Sequence, residues 1–220
     1  MWDESLAAAM ARILITSGPT REYLDPVRYL TNASSGRMGS ALAAAALGAG
    51  HEVVVVSGPV DVGYPPGAKV VPVITTEEML AACAAEFPHC DGLIGAAAPC
   101  DYRPLQPAKH KLRKAAGSLK LELIETRDVL AALGESKGLR WMVAFALETE
   151  DEHMRALQKL ERKNCDLIVL NGPGAIHSSQ TEVEVLDPTG NVAAKLAGPK
   201  EKVAQGILDI IARRLIRPRP

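Results

Sequence analysis

The sequence predicts an α/β fold in which helices cover both faces of a doubly wound, mostly parallel, Rossmann-like sheet. Residues 12–17 and 52–57 are short apolar runs rich in β-branched side chains, each closed by Gly-Pro, and such runs are typical of fully buried strands. An alanine-rich segment with the length of a helix, residues 36–49, lies between them. Strand, helix and strand in this order indicate a right-handed βαβ unit of a parallel sheet.

The same alternation continues along the chain, which indicates a single domain over residues 12–217. The last segment, 199–217, is predicted to be an amphipathic helix. Before it, two runs flank Pro-Thr-Gly and predict a late β-hairpin flap. The other predicted elements are strands at 69–74, 91–98, 141–146 and 165–170, helices at 76–87, 127–137 and 150–164, and hairpin strands at Glu182–Asp187 and Asn191–Leu196.

Composition excludes several classes of partner. The 220 residues include 25 basic and 26 acidic side chains, so the net charge of −1 gives no global field that favours nucleic acid or a membrane. The acidic N-terminus is unlike a signal peptide, and no apolar run approaches membrane-spanning length. Four cysteines without C-x-x-C spacing fit a reducing compartment and not a structural metal site. We therefore expect a cytoplasmic protein that binds small molecules.

The stretch Thr31–Gly39 has the features of an anion cradle. Ser34 or Ser35 can cap the following helix, and Gly36 and Gly39 let backbone amides approach a phosphate or carboxylate. The alternative is an ordinary helix start. The connection that carries the stretch, residues 18–35, is far longer than usual for a βα loop, and such loops are commonly functional. Its polar residues are Thr20, Arg21, Asp25, Arg28 and Asn32.

Small and polar residues also follow the other predicted strands, at the edge where open α/β sheets bind ligands. Ala97 admits the flat face of a ligand, and Asp101 can accept from ribose hydroxyls, hold Mg²⁺ or simply cap a turn. Phe145 either stacks on a base or fills the core, and its spacing favours the core. Asn171, at the end of the next strand, can donate a hydrogen bond to a ligand or simply cap the end of that strand.

Two clusters of basic side chains suggest a polyanionic ligand. Lys111 lies in the run from Lys109 to Lys114, and Lys159 and Lys163 continue a helical stripe at i, i+4 spacing. Like charges at that spacing repel one another, and a triphosphate would relieve the repulsion. A solvated basic face is an equally good interpretation of the stripe alone.

In this order the residues resemble the phosphopantothenoylcysteine synthetase family, the synthetase domain of the Dfp-type coenzyme A biosynthesis flavoprotein. The resemblance is densest in Ile-Thr-Ser-Gly-Pro-Thr-Arg-Glu-x-Leu-Asp-Pro-Val-Arg-Tyr-Leu-Thr-Asn-x-Ser-Ser-Gly-Arg-Met-Gly and extends from Ile13 to the last helix. It implies a ligase that joins 4′-phosphopantothenate to L-cysteine through an acyl-nucleotide, with CTP as the expected co-substrate and ATP as an alternative. It also implies Mg²⁺ and a homodimer, and no flavin, since 220 residues leave no room for the decarboxylase half.

The resemblance further implies roles for particular residues. Asn32 matches the asparagine that holds the acyl-nucleotide, where its amide can donate to the acyl oxygen, and Lys111 matches the lysine needed for activation. Asp101 is the expected metal ligand. The expected nucleotide contacts are Gly18, Ser57, Gly58, Ala97, Asp101, Thr126, Arg127, Phe145, Lys159 and Lys163, and the expected substrate contacts are Arg28, Ser34, Ser35, Gly36, Met38, Gly39 and Asn171.

The sequence departs from the family pattern at several positions, and two rival functions stay open. Thr126-Arg127-Asp128 stands where the family has Asn-Pro-Asp, and the flap offers Ile176 and Thr181 where it usually has Phe and Asn. One alternative, suggested by the departures in the flap, is a catalytically weakened nucleotide-binding module. The other is an NAD(P)-dependent reductase, which is disfavoured because the chain has no G-x-G-x-x-G turn and strand 52–57 ends without an acidic residue.

Overall fold

The computed structural model describes residues 10–114, 117–147, 151–171 and 180–216. Helices and strands alternate through most of this chain, as the sequence predicts. The strands are β1 (Arg12–Ser17), β2 (Arg21–Tyr23), β3 (Tyr29–Thr31), β4 (Glu52–Ser57), β5 (Lys69–Pro72), β6 (Gly92–Gly95), β7 (Tyr102–Pro104), β8 (Leu123–Glu125), β9 (Trp141–Leu147), β10 (Leu167–Asn171), β11 (Gln180–Leu186) and β12 (Val192–Pro199). The helices are α1 (Arg37–Gly48), α2 (Thr76–Glu86), α3 (Val129–Glu135), α4 (Glu152–Arg162) and α5 (Lys200–Arg214).

Eight strands form one sheet in the order β12-β11-β10-β9-β6-β1-β4-β5. Six neighbouring strands of this sheet, β10-β9-β6-β1-β4-β5, run parallel to one another. The strands β11 and β12 add an antiparallel hairpin at the β10 edge. The direction of strand addition reverses at β1, with β4 on one side and β6 on the other, which is the arrangement of doubly wound sheets. The predicted fold class and the late hairpin are therefore confirmed.

Helices pack on both faces of the sheet because successive strand residues face opposite sides. Ile13 and Ile15 of β1 pack with α1 and α5, whereas Leu14 packs with α2 and α3 on the other face. The four cysteines are free and buried, and burial raises the pKa of Cys83 to about 12. Among the described helices, none is both long and apolar enough to cross a membrane.

Two small sheets, β2–β3 and β7–β8, were not predicted from the sequence. Each pairs two antiparallel strands of three residues. The first occupies the long connection after β1, and the second lies between β6 and α3. The strand predicted at 91–98 ends at Gly95, because the chain there leaves the sheet and follows the loop after β1.

The expectation that Ser34 or Ser35 caps α1 is wrong. The N-cap residue is Gly36 with φ 74°, and within the described residues no side chain accepts a capping hydrogen bond there. A left-handed conformation favours glycine. A Cβ on Gly36 would also lie 2.8 Å from a methyl group of Val60, and one on Gly39 would lie 2.1 Å from Ser17 Oγ. Both glycines are therefore required for packing, whatever binds at the helix start.

Replacing Gly39 with Ala should lower the free energy of unfolding by about 1–3 kcal/mol, because the new methyl group overlaps Ser17. Gly48→Ala is the matched control in the same helix. No atom lies within 4 Å of the Cβ it adds, so it should be neutral or stabilise by about 0.5–1 kcal/mol. Urea unfolding measures both variants, and equal stabilities would contradict the packing argument.

Candidate active site

The segment that follows β6 lies along the segment that follows β1. The Ala96 amide donates to the Thr16 carbonyl at 3.1 Å, and the Ala98 amide donates to the Gly18 carbonyl at 2.9 Å. These bonds continue the pairing of two central strands beyond the end of the regular sheet. Residues 96–101 are therefore held at the carboxyl edge, where ligands bind in open α/β sheets.

A cavity of about 170 Å³ opens at this edge. Phe145 packs against the core, which is the interpretation that its spacing favoured, and it also lines the cavity. Thr126 is fixed at the rim, where its amide donates to the carbonyl of Asp101 at 2.9 Å and its hydroxyl donates to the carbonyl of Cys100 at 2.5 Å. Six of the predicted nucleotide contacts line the cavity together: Ala97, Asp101, Thr126, Arg127, Phe145 and Lys163.

Asp128 lines the same cavity and was not among the predicted site residues. Its carboxylate accepts from the Ala131 amide at 3.1 Å, which caps α3, and it lies 3.2 Å from Lys163 Nζ and 3.1 Å from Arg162. Burial acts to raise the pKa of Asp128, but the charge and hydrogen bond of Lys163, the Ala131 amide and the charge of Arg162 together outweigh it and hold the pKa below its usual value. An anion in the cavity would therefore compete with Asp128 for Lys163.

The other predicted nucleotide contacts lie outside the lining of this cavity. Ser57 and Gly58 line a separate groove of about 420 Å³, in which the Ser57 hydroxyl bonds to Tyr64 Oη at 2.7 Å. Lys159 is half-buried on α4. A Cβ on Gly18 would lie 2.6 Å from Val60, so this glycine serves close packing between loops.

Asn32 is tied to the edge segment through its side chain. Its amide nitrogen donates to the carbonyl oxygens of Pro99 at 2.9 Å and Ala98 at 3.2 Å. Only the NH₂ end of an amide can bond to two carbonyl oxygens, so both of its protons are used within the protein. The group that Asn32 leaves for a ligand is its amide oxygen, and not the nitrogen donor that the sequence analysis assigned to the acyl oxygen.

The basic loop that contains Lys111 is anchored by Asp25 and Arg28. Lys111 is exposed, and the next residue, Leu112, is held at both backbone groups. Its amide donates to Asp25 Oδ2 at 3.1 Å, and its carbonyl accepts from Arg28 Nη2 at 2.5 Å. The Arg28 guanidinium also lies 2.6 Å from Asp25 Oδ2. Arg28, predicted as a substrate contact, is thus engaged in positioning the lysine loop.

Asp25 is almost completely buried, at 1% exposure, yet it is ionised. Burial acts to raise the pKa of its carboxyl, but amide donors from Val27, Leu112 and Arg28, together with the Arg28 side chain, outweigh that effect. They hold the pKa well below its usual value. The negative charge of Asp25 therefore contributes to the hydrogen bonds that hold this loop in the folded protein.

Apart from Arg28, the predicted substrate contacts fall into two places, the start of α1 and the end of β10. Met38 and Asn171 are half-buried, the first at the start of α1 and the second at the end of β10. Thr181 is buried at 5% exposure, and its hydroxyl has no hydrogen-bond partner among the described residues. Ile176 lies outside the described residues. The group at the start of α1 consists of Ser34, Ser35, Gly36, Met38 and Gly39, and Asn171 is the predicted contact at the end of β10.

The described part of the chain contains no group of three or more His, Cys, Asp or Glu side chains that could hold a metal ion. Asp101 is exposed at the rim of the cavity and offers a carboxylate. One or two carboxylates together with substrate phosphates are the usual ligands of Mg²⁺, so the donor set fits an ion that arrives with a nucleotide.

Residues 8–215 match the family model described as the DNA/pantothenate metabolism flavoprotein C-terminal domain. A cysteine/cysteine sulfinic acid decarboxylase from an unknown prokaryotic organism is 40% identical over 90% of this chain and 56% of its own length. The coenzyme A biosynthesis bifunctional protein CoaBC of Escherichia coli (strain K12) is 40% identical over 92% of this chain and 52% of its own length. A crystal structure of a CoaBC C-terminal domain superposes with a TM-score of 0.79 at 37% identity, covering 94% of this chain and 97% of that one. The chain therefore spans about half the length of the curated relatives it matches.

Asp25→Asn should destabilise the fold at neutral pH by an amount that shrinks in acid. Because the native pKa is depressed, the ionised carboxylate stabilises the fold above its unfolded pKa of about 3.9, and that contribution is lost as the pH falls below it. Urea unfolding of both proteins from pH 7 to pH 2 measures the difference. Asp61→Asn, in an exposed loop, is the control and should track the wild type. A difference that does not depend on pH would contradict the assignment.

Proposed function

Since the chain belongs to the family of the DNA/pantothenate metabolism flavoprotein C-terminal domain, we propose that it is a phosphopantothenate–cysteine ligase of coenzyme A biosynthesis. One observation carries the proposal. Asp101, Phe145 and Lys163 line one cavity, and Asn32 is bonded to the backbone segment that forms its rim. Groups suited to a base, to phosphates and to a reacting acyl group thus meet at one sheet edge.

In the first step the carboxylate of 4′-phosphopantothenate attacks the α-phosphorus of the nucleotide. A new P–O bond forms, the bond to the β-phosphate breaks, and pyrophosphate leaves. Lys111, Lys159 and Lys163 would offset the charge that builds up on the phosphates. Mg²⁺, held by Asp101 and the nucleotide, would supply further positive charge. In this proposal Lys163 exchanges its contact with Asp128 for one with a phosphate.

In the second step the amine of L-cysteine attacks the acyl carbon, and the bond from that carbon to the nucleoside monophosphate breaks. The amine gains positive charge as the C–N bond forms and must then lose a proton, which the departing phosphate or solvent water takes up. Because the Asn32 nitrogen is bonded to Ala98 and Pro99, its amide oxygen is the group that can accept a hydrogen bond from the attacking amine. Acid–amine ligation involves no redox change, so the reaction needs no flavin.

CTP is the proposed co-substrate and ATP the alternative. Phe145 offers either base a surface for stacking. Thr126 and Arg127 also line the cavity, and they stand where the family has Asn-Pro. The rival function, a weakened nucleotide-binding module, is suggested by the departures in the flap, Ile176 and Thr181. The two functions differ in one product, because only a ligase releases pyrophosphate.

We also propose that the chain forms a homodimer through the two small sheets. Large apolar side chains on and beside them are between 37% and 62% exposed, which is unusual for a surface that stays in water. A second copy of the same surface would cover them. A solution molar mass of one chain, 23.4 kDa, would contradict this proposal. The side chains are Val27, Tyr29, Tyr102, Leu105, Leu119, Leu121 and Leu123.

Incubation with 4′-phosphopantothenate, L-cysteine, Mg²⁺ and each nucleoside triphosphate in turn should release pyrophosphate, fastest with CTP. Lys111→Gln should abolish the release while leaving the fold intact, because Lys111 is an exposed loop residue. Lys120→Gln, which removes the same charge from another exposed loop position, should retain activity. A wild-type chain that releases no pyrophosphate would overturn the ligase proposal, and full activity in Lys111→Gln would remove Lys111 from the mechanism.

Asn32→Asp should slow the attack of cysteine by about 10²-fold. The new carboxylate has no proton to donate and would face the carbonyl oxygens of Ala98 and Pro99, so the rim must shift, and small misplacements of reacting groups cost about that much. Quenching the reaction and measuring the acyl-nucleotide by mass spectrometry, with and without cysteine, separates the two steps. An intermediate that persists after cysteine is added supports the assignment, and normal turnover would refute it.

A further inference from the structure

We propose that Thr20 and Thr76 are positioning residues for the nucleotide side of the active site, an inference that rests on the proposed ligase function. Their hydroxyl groups bridge the two backbone groups of Cys100. The Cys100 amide donates to Thr20 Oγ1 at 2.8 Å. The two threonine hydroxyls lie 2.9 Å apart, and Thr76 Oγ1 donates to the Cys100 carbonyl at 3.3 Å. Three hydrogen bonds thus close a ring around one residue.

The direction of each bond in the ring follows from counting protons. A threonine hydroxyl has one proton to donate. Thr76 gives its proton to the Cys100 carbonyl, so the proton between the two hydroxyls must come from Thr20. Thr20, Thr76 and Cys100 are 0%, 2% and 6% exposed. Unpaired polar groups are costly when buried. Removing the Thr20 hydroxyl would leave the Cys100 amide without its partner, and removing the Thr76 hydroxyl would leave the Thr20 proton without its acceptor, so either change should loosen the hold on Cys100.

Glu22 holds Thr76 in place. Its carboxylate accepts from the Thr76 amide at 2.8 Å and is 5% exposed. Thr76 is the first residue of α2, where a negative charge is favourable next to the free amides of the helix. The Glu22 side chain of β2 thus fixes Thr76 at the start of α2, and with it the Thr76 side of the ring.

The ring controls the rim of the cavity because Cys100 precedes Asp101. β6 ends at Gly95, so Cys100 lies five residues beyond the last regular strand pairing on its segment. The Thr126 hydroxyl donates to the same Cys100 carbonyl, and the Thr126 amide donates to Asp101. A rotation of the Cys100 carbonyl would therefore move Asp101 and Thr126 together.

Thr76→Val tests the ring, because it replaces the hydroxyl with a methyl group of similar size. We expect the KM for CTP to rise about tenfold, as when one hydrogen bond that holds a binding group is lost, with the KM for 4′-phosphopantothenate unchanged. Thr76→Ser, which restores the hydroxyl, should restore the KM. Thr75→Ala is the matched control, since it removes the helix cap one residue earlier without touching Cys100.

Calorimetric titration with Mg-CTP separates failure of this inference from failure of the ligase proposal. Tenfold weaker binding to Thr76→Val than to the wild type supports the ring even if no pyrophosphate is ever released. Equal affinity, or a fall in kcat with unchanged KM values as in a partly unfolded enzyme, overturns it. A wild-type chain that binds no triphosphate overturns both. If Thr76→Val does not fold, Thr76→Ala removes the same hydroxyl with less crowding and is measured in its place.

Discussion

The candidate site depends on the hydrogen bonds that join the loop after β1 to the loop after β6. The regular strands stop at Ser17 and Gly95, but the two segments stay paired, and an isolated bridge joins Pro19 to Ala98. The β2–β3 hairpin then returns the chain to the same place, where the Thr31 hydroxyl donates to the Thr20 carbonyl at 2.8 Å. Asn32 follows immediately. One short length of backbone therefore sets the position of the cavity rim and of Asn32.

The sheet could be predicted because burial determines it. Strands buried on both faces must be apolar throughout, and residues 12–17 and 52–57 carry that signal without any tertiary information. The strands β2, β3, β7 and β8 carry no such signal, because each has only three residues, and β3, β7 and β8 leave apolar side chains exposed. Their pairing depends on where the sheet ends, which a local pattern does not contain.

The site was predictable to the extent that the topology places it. Asp101 follows β6 and Phe145 lies near the end of β9, and the carboxyl ends of such parallel strands meet at one edge. The partners of individual side chains were not predictable. Arg28 bonds to Leu112, which is 84 residues away, and the Asn32 amide bonds to carbonyls 66 and 67 residues away. Such contacts exist only after the sheet has formed, so residue type and spacing carried no signal for them.

Charge is arranged differently around the two lysines that are proposed to meet the phosphates. Lys163 is 16% exposed and already has an anionic partner, Asp128, so a phosphate that binds it must displace a carboxylate at little net cost in buried charge. Lys111 is exposed, and its loop is fixed one residue later by a buried, ionised Asp25 and by Arg28. In the first arrangement the Asp128 carboxylate balances the charge of Lys163 until a ligand arrives. In the second arrangement the ammonium group of Lys111 stays in solvent, while the backbone next to it is held in place by Asp25 and Arg28. A cation of each kind would let the site attract a polyanion from solution and also hold it in one orientation.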